Sequence, residues 1–208
     1  MSETVIQQKI EALLDLARSE ASEAKDRIAD DLSEIIYVEG APFSPRELDI
    51  ATDILRKLVH EAEVAVRQRM ADRLARDHRA PRDLVLALAN DDILVARPVL
   101  AMSAALRDRD LIEIVRHKTK QHQLAVAARE DLGKGVSAVI AETTDTDVVA
   151  ELLKNPSARI AEATYAYIAD RSRKEVELQA PLLKREDGNA DFTLVAREIE
   201  GRIRGFDP

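Results

Sequence analysis

Apolar side chains recur at steps of three and four along most of the chain, the spacing of helices that bury one face. Val5, Ile6, Ile10, Leu13, Leu14 and Ala17 begin the pattern. Large apolar residues vanish from Arg18 to Arg27 and resume at Ile28, Leu32, Ile35 and Ile36, which reads as two helices or as one long helix with a weak middle. Gly40, Pro42 and Pro45 end this stretch. Ser44-Pro45-Arg46-Glu47 is a helix start: Ser44 can accept from a free amide, Pro45 suits the first helical position, and Glu47 completes a capping box. Leu48, Ala51, Ile54, Leu55 and Leu58 follow on one face. A second helix carries Val64, Val66, Met70, Ala71 and Leu74.

The same plan recurs downstream. Ala80-Pro81-Arg82-Asp83 opens a short helix with Leu84, Val85, Leu86 and Leu88, and Asn90-Asp91-Asp92 form a turn that caps the next, with Val95, Leu100, Ala104 and Leu106. A third unit starts near Asp110 with Leu111, Ile112, Ile114 and Val115, and its partner helix carries Leu124, Val126, Ala127 and Leu132. Gly133 reads as a helix C-terminal residue. A short extra helix holds Val136, Val139 and Ile140. A fourth unit runs from Val148 to Leu153, turns at Asn155-Pro156 and continues through Ile160, Ala163, Tyr165 and Ile168. Tyr165 and Tyr167 face different ways, one into the core. Phe192, Val195, Ile199 and Ile203 form a last amphipathic helix. Pro45 and Pro81 lie 36 residues apart, and Asp83 and Asp110 lie 27 apart, a degenerate period of the kind that helical arrays show. One helix pair cannot bury its apolar stripe alone, whereas stacked pairs share a continuous core. Pro98, inside a helical pattern, removes an amide donor and predicts a kink.

The run from Ala80 to Arg97 resembles a HEAT-type repeat, with Pro and Leu in its first helix, acids in its turn, and Val and Arg early in its second. The order of such segments over roughly residues 45–170 resembles an uncharacterised bacterial domain-of-unknown-function family with HEAT-like repeats. That resemblance implies an all-α, right-handed α-solenoid of about four helix pairs, and no activity. The expected organisation is an N-terminal helical cap over 1–43, a HEAT-like repeat domain over 44–172, and a C-terminal helical cap or tail over 173–208. The resemblance also implies structural roles for Arg67 and Arg97, as rungs paired with turn acids, with Asp91 or Asp92 as the partner of Arg97.

Composition agrees with helices and narrows the chemistry. Alanine fills 32 positions and aromatics only 3%, which favours close helix contacts over sheets. The chain has no Cys, which excludes disulfides, Cys-zinc sites and thiol nucleophiles. No basic segment followed by an apolar core opens the chain, and no apolar run reaches bilayer length, so the expectation is a cytoplasmic protein without membrane contact. The net charge is −8, unevenly spread: residues 1–60 carry −6, 61–122 carry +2, and 123–208 carry −4.

The basic middle holds the sharpest local feature, Arg67, Arg69, Arg73, Arg76, Arg79 and Arg82 with His78. Arg69, Arg73 and Arg76 share a helix face. Turns downstream add Arg107, Arg109, Arg116, Lys118 and Lys120, and stacked repeats would align such turns on one edge. Arg69, Arg73, Arg76, Arg79 and Arg82 are therefore the candidate partner-binding residues, against the alternative of a solvated face with local ion pairs to Asp72, Asp77 and Asp83. On the solvated reading, reversing Arg69, Arg73 and Arg76 to Glu leaves folding intact. His60, His78, His117 and His122 have no metal-ligand spacing, and a phosphoacceptor role for His117 finds no support in spacing. Gly133-Lys134-Gly135 lacks the remainder of a phosphate loop. Ser103, among alanines, reads as a small helix-contact residue.

These features lead to a non-catalytic interaction or scaffold module in bacterial signalling or regulation, with an unknown protein partner. No catalytic residue, cofactor or metal is expected. The alternative is nucleic-acid or phospholigand binding through the arginines at 67–82, which the acidic total opposes. The terminal amphipathic helices offer a route to a homo-oligomer.

Overall fold

The computed structural model describes residues 22–37 and 43–185. Among them are eleven α-helices, one 3₁₀ turn and no strand, so the fold is all-α. The helices expected around Val5–Ala17 and Phe192–Ile203 lie outside the described residues. The chain divides into two compact units, Met1–Leu106 and Arg107–Pro208. This division falls within the 44–172 stretch read from sequence as one repeat domain.

The first unit contains α1 (Ser22–Tyr37), α2 (Pro45–Leu58), α3 (Val64–Arg76), α4 (Arg82–Ala89) and α5 (Ile93–Met102). Helix starts follow the sequence signals. The Ser44 hydroxyl accepts from the Glu47 amide, and the Glu47 carboxylate accepts from the Ser44 amide at 2.8 Å, closing the capping box. Asp92 caps α5 by accepting from the Leu94 amide at 2.9 Å. Helix α3 packs against both α1 and α5, so these three form one row, while α2 packs on α1, and α4 on α3 and α5. Met70, Ala71 and Leu74 of α3 and Val95, Ala96, Val99 and Leu100 of α5 are fully buried. The alanines among them allow close helix approach. Helix α5 runs through Pro98, which lacks the amide that would bond the Leu94 carbonyl. Ser103 follows as its buried C-cap.

The second unit contains α6 (Asp108–His117), α7 (Lys120–Ala127), α8 (Lys134–Ala141), α9 (Thr146–Lys154), α10 (Glu162–Ser172), a 3₁₀ turn (Val176–Leu178) and α11 (Gln179–Leu183). Helix α8 packs against α6 and α10, and α9 packs against α7, the 3₁₀ turn and α11. Successive helices thus alternate between two rows. Leu111, Ile114, Val126, Val136, Ile140, Val148, Leu152 and Ile168 fill the space between them. Tyr165 joins this core and Tyr167 is exposed, as their spacing predicts.

Gly133 corrects one expectation. Helix α7 has already ended at Ala127, and Gly133 is instead the N-cap of α8. Between them Asp131 adopts φ 52°, a left-handed conformation that Asp tolerates better than most residues. The reason for glycine at 133 is space: a Cβ there would lie 2.5 Å from Oδ2 of Asp108. Gly133→Ala is expected to lower stability by about 1 kcal/mol, because the Asp108 carboxylate must swing away from α8. Adding Asp108→Ala should cancel most of that loss, measured by denaturant unfolding as a double-mutant cycle.

Candidate functional site

The arginines singled out from sequence do not form one open stripe. Arg69 and Arg73, one turn apart on α3, both reach Asp30 on α1. Arg69 Nε donates to the Asp30 carboxylate at 2.9 Å. Arg73 Nη1 donates to Asp30 Oδ1 at 2.7 Å, to its carbonyl at 2.8 Å and to Ser33 Oγ at 2.7 Å. The Arg73 side chain retains only 15% of its exposure. Arg73 is thus withdrawn from solvent and Arg69 stays exposed, while both tie α3 to α1. Arg79 pairs with Asp77 at 2.7 Å, Arg82 opens α4 half-buried, and Arg76 is exposed.

Reversing all three charges would accordingly not be innocuous. Arg73→Glu should cost about 2–3 kcal/mol, because it places a carboxylate against Asp30 and removes the donor shared by the Asp30 carboxylate, its carbonyl and Ser33. Arg76→Glu should stay within about 0.5 kcal/mol in the same melts. Burial pushes the Asp30 carboxyl up, but donation from Arg69 and Arg73 outweighs it and holds the group below its usual range. A depressed folded-state pKa contributes stability above the unfolded value near 3.8, lost as pH falls through the folded value. Asp30→Asn should flatten the acid limb of stability below about pH 4.

The rungs expected at the turns exist, with a different partner choice. Asp91 accepts from Arg67, Nε to Oδ2 at 2.6 Å and Nη2 to Oδ1 at 3.0 Å, across 24 residues. Of the two acids expected as partner for Arg97, Asp91 is thus held by Arg67 on α3 and Asp92 caps α5, while Arg97 is exposed. Arg56 pairs with Asp83 across 27 residues, and Lys120 with Asp147 across the same separation.

A second set of rungs caps helix C-termini in the Arg107–Pro208 unit. The terminal carbonyls of a helix lack intrahelical donors and carry partial negative charge. Asn155 Nδ2 donates to the Ala127 and Arg129 carbonyls at 2.8 and 2.7 Å, closing the end of α7 from 28 and 26 residues away. Arg185 Nη1 donates to the Asn155 carbonyl at 2.6 Å, 30 residues away, and Nη2 to the Ala158 carbonyl at 3.0 Å, closing the end of α9. Arg171 Nη1 does the same for α8 through the Ala141 and Thr143 carbonyls at 2.6 and 2.7 Å. One device, a donor about 28 residues on, serves three successive helix ends.

Sequence reasoning missed a cleft of about 330 Å³ in this unit. It lies where α6 and α8 end, lined by Val115, Arg116, Gln123, Val139, Glu142 and the turn 143–145. Arg116 was noted as a turn cation, but nothing in the local pattern joined it to residues 26 or more positions away. Its walls are braced. Gln123 Nε2 donates to the Val115 carbonyl at 2.7 Å, Arg171 holds the Thr143 carbonyl, and Asp145 pairs with Lys120 at 3.0 Å.

Residues 95–195 match the family model DUF2336, an uncharacterised protein conserved in bacteria. The cleft and the C-terminal rungs all lie within this DUF2336 segment. The segment begins and ends later than the 45–170 span in which the resemblance was read from sequence. No curated protein and no solved structure matches the chain.

Of the two histidines in the DUF2336 segment, His117 is exposed, with Nε2 3.3 Å from Glu113, and His122 is buried, with Nδ1 2.9 Å from the Thr119 hydroxyl. Among the described residues no group of His, Cys, Asp and Glu is arranged to hold a metal, and no helix is long and apolar enough to cross a membrane.

Proposed function

We propose that the protein is a non-catalytic helical-repeat module, a right-handed α-solenoid of HEAT-like pairs in the cytoplasm, that docks protein partners in bacterial signalling or regulation. The observation that carries this reading is the recurrence of one capping device along the DUF2336 segment, at separations of 26 to 30 residues. Recurrence of a structural rung at near-constant spacing is the signature of stacked repeats, whose outer faces are free to serve as extended docking surfaces. The pairing of helices with their next-but-one neighbours inside each unit supports it.

The alternative, nucleic acid or a phospholigand bound through Arg69, Arg73, Arg76, Arg79 and Arg82, is weakened by the same geometry. Three of these guanidinium groups already face carboxylates of their own unit, and counter-ion release from phosphate needs cations that are not so neutralised. The full chain, immobilised and exposed to bacterial lysate with and without nuclease, tests the choice. The proposal expects specific proteins to be retained equally in both arms and equally by Arg76→Ala. Retention that disappears with nuclease, or low-salt retention on a DNA matrix that Arg76→Ala removes, would overturn it.

A further inference from the structure

The cleft between the ends of α6 and α8 brings two exposed charges of opposite sign onto one concave surface. Most turn charges are committed: Arg67 to Asp91, Arg56 to Asp83, Lys120 to Asp145 and Asp147. Arg116 and Glu142 line the same cavity from α6 and from the C-cap of α8, both exposed, with no ion pair among the described residues. Between them lie the exposed Thr144 and the half-buried Val139, with Val115 buried beneath. Gln123 and Arg171 hold backbone carbonyls around the cavity and Lys120 holds the Asp145 carboxylate, while these two charges are uncommitted among the described residues.

From this we infer that the cleft is a peptide-binding site that takes an acidic and a basic side chain presented close together on one segment of a partner protein. The acid pairs with Arg116 in the fork geometry that guanidinium offers a carboxylate, and the base pairs with Glu142. The aliphatic stems of both lie against the half-buried Val139, and the Thr144 hydroxyl is at hand for the peptide backbone. A cavity of about 330 Å³ suits a few side chains and not a folded domain. A concave site with one wall of each sign selects against peptides of a single charge sign, because one half of such a peptide meets its like charge. A second copy of this cleft face would set one concavity against another and leave both unfilled, so the occupant is a projecting segment. The inference deepens the docking reading above and rests on it.

Selection of a displayed random-peptide library on the full chain tests it. The expected result is enrichment of sequences with an acid and a base within about four residues of each other. Their affinity should fall at least tenfold with Arg116→Glu and with Glu142→Arg taken singly. Arg116→Glu combined with Glu142→Arg should recover binding to peptides in which the two charges are exchanged. Both positions are exposed, so circular dichroism should show each variant folded. Enriched peptides indifferent to both substitutions would overturn the cleft assignment while leaving a docking module in place. No enrichment at all would overturn the cleft as a peptide site, and the lysate experiment above would then decide the docking reading independently.

Discussion

Leu100→Asp should unfold the Met1–Leu106 unit, while Leu94→Asp, six residues earlier on the same helix, should leave it folded. Leu100 is fully buried in α5, where it faces the α1–α3–α5 row, whereas Leu94 retains 58% of its exposure in the first turn. A carboxylate at 100 loses the leucine's packing and is shut away from water, a combined cost of about 5 kcal/mol or more. That is comparable with the whole stability of a small domain. At 94 the same carboxylate is solvated and sits near the positive end of the helix, so its effect should stay within about 0.5 kcal/mol. Circular dichroism melts of the two variants check the contrast. Equal melts would place Leu100 outside the core.

Removing Arg185 should be the most damaging change to a polar side chain in the DUF2336 segment. Its buried guanidinium closes the C-terminal end of α9 and lies 5.9 Å from the centroid of the Tyr165 ring. Arg185→Ala removes the charged donor from the Asn155 and Ala158 carbonyls and forfeits the cation–π contact, for an expected loss of about 3 kcal/mol. Arg185→Lys keeps the charge but cannot reach two carbonyls in a fork, so it should recover less than half. Chemical denaturation followed by helicity reads both. If Arg185→Ala unfolds at the wild-type midpoint, the rung at this position contributes nothing.

The parts legible in the sequence were those whose causes are local. The capping box at Ser44, the cap at Asp92 and the burial of Met70, Leu74 and Ile168 need only a few neighbouring residues to specify them. Spacing alone separated Tyr165 from Tyr167. What failed depended on partners far along the chain. Arg69 and Arg73 looked like a free face because Asp30 lies 39 and 43 residues before them, on a helix whose packing against α3 no periodicity reveals. Asp91, one of the two acids expected for Arg97, is held by Arg67 on α3, a side-chain reach between helices that is invisible to sequence spacing. Gly133 was placed at the wrong end of a helix because its requirement for a small side chain comes from Asp108. The cleft was missed for the same reason: Arg116 and Glu142 are joined only through the packing of α6 against α8.

In stacked repeats, α6, α8 and α10 of the DUF2336 segment lie in a line. Since the chain has no native cysteine, spin labels can be placed cleanly on single exposed positions, Arg109 on α6, Lys134 on α8 and Ala163 on α10, and measured in pairs by dipolar electron paramagnetic resonance. Neighbouring helices of this row should lie about 10 Å apart, and the outer pair, 109 with 163, about 20 Å apart. Three equal separations would instead describe the corners of a bundle and contradict stacked repeats.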